Sequence, residues 1–125
     1  MHILLDTHIF IWWLKDDRHL SKPARQLIMN ADIVYVSSVS IWEAAIKVQL
    51  GKLEVELNEL VEAIAAEGFQ ELPMMSRHAL RISTLPQYHR DPFDRMLIAQ
   101  AMSEPLRLLT ADLTLKQYSE LVDVV

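Results

Sequence analysis

The sequence predicts an α/β fold with a mostly parallel central sheet, and three observations predict it. Short apolar runs of strand length stand at Ile3-Leu4-Leu5, Ile33 to Val36, Phe69 to Leu72 and Arg107 to Thr110. Longer amphipathic stretches separate them, opening on Ser, Thr or Asp and closing at Gly or before Pro, which are helix boundaries. Half of the 125 residues are hydrophobic (51%) and 23% are charged, enough apolar material for the core of one domain, so residues 1–125 are read as a single domain. Strands joined through helices pair in parallel and need both sheet faces covered.

Ile3-Leu4-Leu5 forms the first strand and ends in Asp6-Thr7, where Thr7 can cap a helix running through Leu14. Ser21-Lys22-Pro23 combines a cap residue with proline in the first turn, so a second helix runs to about Asn30, before the strand Ile33 to Val36. Ser37 or Ser38 then caps a helix carrying Trp42 and Glu43, which Gly51 ends. A further helix covers about Leu57 to Glu67, and a short strand lies near Phe69 to Leu72. A weaker helix extends from Ser76 to about Ser83. Asp91-Pro92 is a strong helix start, with Asp as cap and Pro at the first helical position, and that helix reads on to Ser103. Arg107 to Thr110 is a buried strand, Asp112 lies just beyond it, and Asp123 to Val125 closes the chain as an edge strand.

Composition removes several classes of chemistry. Without cysteine there is no disulfide, thiolate-bound zinc, iron–sulfur centre or thiol nucleophile, which fits the cytoplasm. Two glycines, Gly51 and Gly68, cannot build a phosphate-binding loop or a dinucleotide turn. The apolar stretch Ile3 to Leu14 is interrupted by Asp6 and is too short to span a bilayer, so no membrane role is expected. The formal charge of −5 argues against a nucleic-acid partner only if every acid is free. Setting aside four acids that share a divalent ion brings the chain close to neutrality, and the ion makes the pocket attractive to phosphate.

Asp6 and Asp112 each follow an apolar strand, which places both at the carboxyl end of a parallel sheet, where ligands bind in this architecture. Glu43 and Asp94 lie near helix starts, which point to the same end. Carboxylates gathered there repel one another unless a cation holds them together. The donors are hard oxygens, and His2, His8, His19, His78 and His89 contain no HxxxH pair, so Mg²⁺ or Mn²⁺ suits the set better than zinc. Each acid also has a purely structural use: Asp91 and Asp94 favour a helix start, Glu43 can pair with Lys47 four residues on, and Asp112 can cap a turn. Asp6 is the hardest to explain without a site, because it interrupts a continuous apolar run.

Four segments, LLDTHIFIWWL, SSVSIWEAAIKVQLGKL, HRDPFDRMLIAQA and LLTADLTLKQY, stand in an order and spacing that resembles the PIN-domain nucleases, in particular the VapC-type toxins of toxin–antitoxin pairs. The resemblance covers essentially the whole chain and implies a three-layer α/β/α domain. It implies a metal site formed by Asp6, Glu43, Asp94 and Asp112, with Thr110 near it, Thr7 as a weaker candidate and Asp91 at most behind the ligands. It also implies endonucleolytic hydrolysis of RNA, leaving 5′-phosphate and 3′-hydroxyl ends. The implied partners are a second copy of the chain and a small antitoxin, whose helix lies in an apolar groove and whose tail blocks the acids, in a heterotetramer or larger assembly.

Arg95, Arg90, His89 and Lys47 neighbour the acids in sequence and are candidates to grip flanking phosphates, Arg95 first among them, with ion pairing to the acids as the alternative. The run IFIWWL is apolar for six residues, so a helix there should present one tryptophan to a partner. Two readings from other classes stand beside the nuclease. One is a catalytically inactive PIN-like module that binds RNA or protein. The other, a phosphoacceptor receiver or aspartate-nucleophile phosphatase, fits less well, because His8 occupies the position of the phosphatase's second Asp and Ile33 to Ser37 supplies no acceptor.

Overall fold

The computed structural model describes residues 1–125. Five strands, β1 (His2–Leu5), β2 (Ile33–Ser37), β3 (Gln70–Leu72), β4 (Arg107–Thr110) and β5 (Val122–Val124), alternate with helices. The helices are α1 (Thr7–Lys15), α2 (Lys22–Asn30), α3 (Ser38–Gln49), α4 (Leu57–Ala66), α5 (Ser76–Ile82) and α6 (Pro92–Ser103). A 3-10 helix, Leu113–Tyr118, joins β4 to β5.

The sheet order is β3-β2-β1-β4-β5, and every pairing is parallel. The final edge strand joins in parallel too, and it is centred one residue earlier than the sequence suggests. Beside β1 the direction of strand addition reverses: β2 and β3 build outward on one side, β4 and β5 on the other. A crevice opens at such a reversal, outside the carboxyl ends of the central strands. Asp6 leaves β1 at that end, and Asp112 follows β4.

Side-chain alternation along β1 shows why the sheet needs helices on both faces. Ile3 and Leu5 join one apolar cluster with Ile9, Phe10, Ile28, Ala44, Leu60 and Ile64 from α1 to α4. Leu4 points the other way, into a cluster with Leu97, Ile98 and Ala101 of α6 and with Leu108. Each fully buried aliphatic side chain stabilises the fold by about 1.5–3 kcal/mol relative to exposure. The result is a three-layer α/β/α arrangement.

Local signals place most helix ends. Ser21 caps α2 by accepting from the Ala24 amide, and Pro23 sits in its first turn. Gly51 and Gly68 lie past α3 and α4 with φ of 72° and 76°, a conformation that costs a side-chain-bearing residue energy. The start of α1 differs from the sequence expectation. Asp6, not Thr7, is its cap, because the Asp6 carboxylate accepts from the His8 amide while Thr7 is already helical and turns inward.

The tryptophans of α1 are also placed differently. Trp12 and Trp13 are both half-buried against the first cluster. Trp13 packs on Phe69 and donates its indole N–H to Glu67 at 2.7 Å, while Trp12 stacks on His19. The exposed tryptophan is Trp42 on α3, at 57%. No helix is long and apolar enough to cross a membrane.

Candidate metal centre

Asp6 is held by two separate parts of the chain. Its Oδ1 accepts the His8 amide at 2.9 Å, and its Oδ2 accepts the Thr110 hydroxyl at 2.7 Å. The β1–β4 pairing brings Thr110 there, and the bond from the Asp6 amide to the Leu109 carbonyl, 2.9 Å, continues that ladder by one residue. Asp6 is buried, and this desolvation pushes its carboxyl pKa up against the pull of the Thr110 and His8 hydrogen bonds.

Glu43 sits in the first half of α3, only 2% exposed. Its Oε1 accepts the Thr7 hydroxyl at 2.7 Å and its Oε2 accepts Lys47 Nζ at 2.6 Å. Thr7 also lies 2.8 Å from the Ser40 hydroxyl, so α1 and α3 are tied together behind the acid. The expected Glu43–Lys47 ion pair therefore forms, and it occupies the lysine that was a candidate for phosphate.

Asp91 caps α6, accepting the amides of Phe93 at 2.8 Å and Asp94 at 3.3 Å. Asp112 caps the 3-10 helix through the Thr114 amide, 2.9 Å, and its other oxygen faces His89 Nε2 at 3.0 Å. Its own amide donates to Thr110 Oγ1 at 3.0 Å, so one hydroxyl fixes both Asp6 and Asp112. Burial pushes the Asp112 carboxyl up, but the hydrogen bonds from Thr114 and His89 outweigh this and hold it below the usual range.

Asp94, in the first turn of α6, differs from the other three acids. Its carboxylate has no close donor; the nearest is His89 Nε2 at 3.5 Å. Burial, followed by the charges of Asp6, Asp91, Glu43 and Asp112, pushes its pKa up to about 8. Those four charges act on Asp94 because the folded chain gathers them around it.

His89 is the residue whose place the sequence reading missed. Grouped there with possible phosphate contacts, it lies among the acids: one ring nitrogen and one oxygen from each of Asp94 and Asp112 lie within 4.8 Å of one another. The available signal was its position two residues before the cap Asp91, whose amide donates to His89 Nδ1 at 3.0 Å. Arg95 is a correction in the opposite direction. Its buried guanidinium donates to the Pro86 carbonyl at 2.8 Å, the Tyr118 hydroxyl at 3.2 Å and the Ile82 carbonyl at 3.5 Å. It is committed to the loop between α5 and α6. Arg90 is exposed.

The donor set fits a hard divalent cation. The acids offer oxygen ligands, their mutual repulsion falls on Asp94, and Asp94 has the least internal compensation. A divalent ion placed among them would relieve that repulsion directly.

A family model described as the PIN domain matches residues 3–121. Ribonuclease VapC22 of Mycobacterium tuberculosis (strain ATCC 25618 / H37Rv) is 28% identical over 122 residues, spanning 93% of this chain and 91% of that protein. Among solved structures, VapBC2 from Rickettsia felis bound to a DNA fragment from their promoter superposes with a TM-score of 0.74 at 16% identity, covering 100% of this chain and 99% of that one. A toxin–antitoxin complex from Klebsiella pneumoniae gives a TM-score of 0.67 at 18% identity over 98% and 96% of the two chains. FitAcB from Neisseria gonorrhoeae gives 0.64 at 20% identity over 90% and 89%. At these identities the structures speak for the fold.

Proposed function

This chain belongs to the PIN-domain family, and from that premise we propose that it is a metal-dependent endoribonuclease, the toxin of a toxin–antitoxin pair, acting as one domain over residues 1–125. The observation that carries the reading is Asp94, a carboxyl pushed up to about 8 by burial and by the acids around it. A structural acid gains nothing from such surroundings, whereas a cation ligand does.

Asp6, Asp94 and Asp112 would hold Mg²⁺ or Mn²⁺, with Glu43 completing the set. The ion, when bound, supplies Lewis-acid stabilisation of charge on phosphate oxygens and acidifies water. The protein's own part is orientation. Thr110 fixes Asp6 and the Asp112 backbone; Thr7 and Lys47 fix Glu43; Asp91 anchors the first turn that presents Asp94. This leaves Asp94 as the acid freest to turn toward an ion.

The M. tuberculosis relative is named a ribonuclease, and the K. pneumoniae neighbour is a toxin–antitoxin complex. They support RNA as the substrate and an antitoxin protein as the partner. A groove that suits an amphipathic partner helix lies between α1 and α4, about 450 Å³ in volume, with Leu14, Val55, Leu60 and Ala63 as its apolar lining and Lys15, Glu54, Glu56 and Glu59 as its charged lining. A second copy of the chain completes the proposed assembly.

The test is cleavage of single-stranded RNA by the purified chain with Mg²⁺ or Mn²⁺. Cleavage should stop with chelator and with Asp94→Asn, the variant remaining folded by circular dichroism. Cleavage that persists through both would overturn the assignment of the site.

A further inference from the structure

His89 is clamped at three points. Its backbone amide donates to the Tyr118 hydroxyl at 2.8 Å, its ring Nδ1 accepts the Asp91 amide at 3.0 Å, and its Nε2 faces Asp112 Oδ2 at 3.0 Å and Asp94 Oδ2 at 3.5 Å. Tyr118 is itself held by Arg95, so the clamp reaches back into α6. The backbone contact decides the chemistry of the ring. A nitrogen that faces an N–H donor carries no proton, so the neutral ring has its hydrogen on Nε2, directed at the two carboxylates.

A histidine that ligates a metal through Nε2 needs the lone pair there and its proton on Nδ1, where it usually donates to a carbonyl or carboxylate. Here Nδ1 meets an amide N–H, which excludes that arrangement without breaking the Asp91 contact. We propose that His89 is a positioning residue, not a metal ligand: its Nε2–H holds the Asp112 carboxylate and sets the orientation in which Asp112 receives the cation beside the unrestrained Asp94. The inference rests on the metal-site reading above.

Asp112 makes the consequence concrete. One of its oxygens is engaged by the Thr114 amide and the other by His89, which leaves one lone pair on each for the pocket and fixes the plane of the carboxylate. Without His89, Asp112 keeps one restraint and its carboxylate can turn away. Outer partners of this kind are worth about 10- to 100-fold in metal affinity. The neutral ring suffices, and no change of protonation is needed.

The test is calorimetric titration of the full chain with Mn²⁺ in the absence of RNA. His89→Phe should bind Mn²⁺ about 10- to 100-fold more weakly. His89→Gln, whose amide N–H reaches the position of Nε2, should recover most of that loss. His89→Asn, whose amide stops at the position of Nδ1, should not. Ring nitrogen NMR of the metal-free protein should find the proton on Nε2, and pulsed EPR of the Mn²⁺ complex should find no directly bound nitrogen. Undiminished affinity in a folded His89→Phe, equal affinities for Gln and Asn, a proton on Nδ1, or a nitrogen bound to Mn²⁺ would each overturn the proposal. If His89→Phe does not fold, the Gln and Asn pair decides. Asp94→Asn is titrated alongside: if it binds Mn²⁺ like the parent, the metal centre itself is wrong. If Asp94→Asn loses binding and the His89 variants do not, only the role of His89 falls.

Discussion

The Thr110 hydroxyl donates to Asp6 Oδ2 at 2.7 Å across a separation of 104 residues, and the same oxygen accepts the Asp112 amide at 3.0 Å. Thr110→Val keeps the shape and removes both bonds in a position with no solvent access. The expected cost is about 1–3 kcal/mol in urea unfolding, with Mn²⁺ affinity lowered as well. Thr110→Ser should restore both, and a Val variant as stable as the parent would show that the hydroxyl is dispensable.

The metal-free protein should lose stability as pH rises. The Asp94 carboxyl stands near 8 in the folded state against 3.8 for the unperturbed group, so between those values the folded chain holds a proton that the unfolded chain has released. Its stabilising effect is complete below about 4 and disappears as pH passes through about 8. Thermal unfolding in chelator should therefore show a falling midpoint from pH 6 to pH 9. Asp94→Asn should flatten that slope and stabilise the metal-free protein at pH 9 by on the order of 1–3 kcal/mol. A midpoint independent of pH in the parent would contradict this.

Arg95 should behave as a structural cation. Its guanidinium is buried and joins the α5–α6 loop to Tyr118, so Arg95→Leu should cost roughly 2–4 kcal/mol by leaving carbonyls without donors. A phosphate contact would raise KM for RNA and leave unfolding unchanged. Denaturant curves beside KM and kcat distinguish the two.

Leu4 is fully buried at the centre of the sheet, between Tyr35 on β2 and Leu108 on β4. Leu4→Ala should destabilise the protein by roughly 2–5 kcal/mol, the range for an aliphatic side chain removed from a core that cannot collapse. Urea unfolding checks this, and a loss well under about 2 kcal/mol would contradict the packing of Leu4 against α6.

Much of this architecture can be read from short stretches, because the forces involved are local. The cap at Ser21, the Asp91-Pro92 start and the glycines after α3 and α4 are each decided within a turn of backbone. The apolar runs of β1 and β4, each followed by an acid, locate Asp6 and Asp112 by the same logic. The roles of side chains in loops are different, because they depend on which distant groups packing brings within reach. His89 and Arg95 are both basic and both near Asp94 in the chain, yet folding turns one toward the acids and buries the other against carbonyls. Trp12 and Trp13 are half-hidden because His19 stacks on the first, Phe69 packs on the second and both lie against the first apolar cluster, while Trp42 stays outside. What the residues alone determined here is the order of elements and the acids that end them. Which side chains meet across the crevice was decided only when parallel pairing set β1 beside β4, since that register governs distances over a hundred residues of chain.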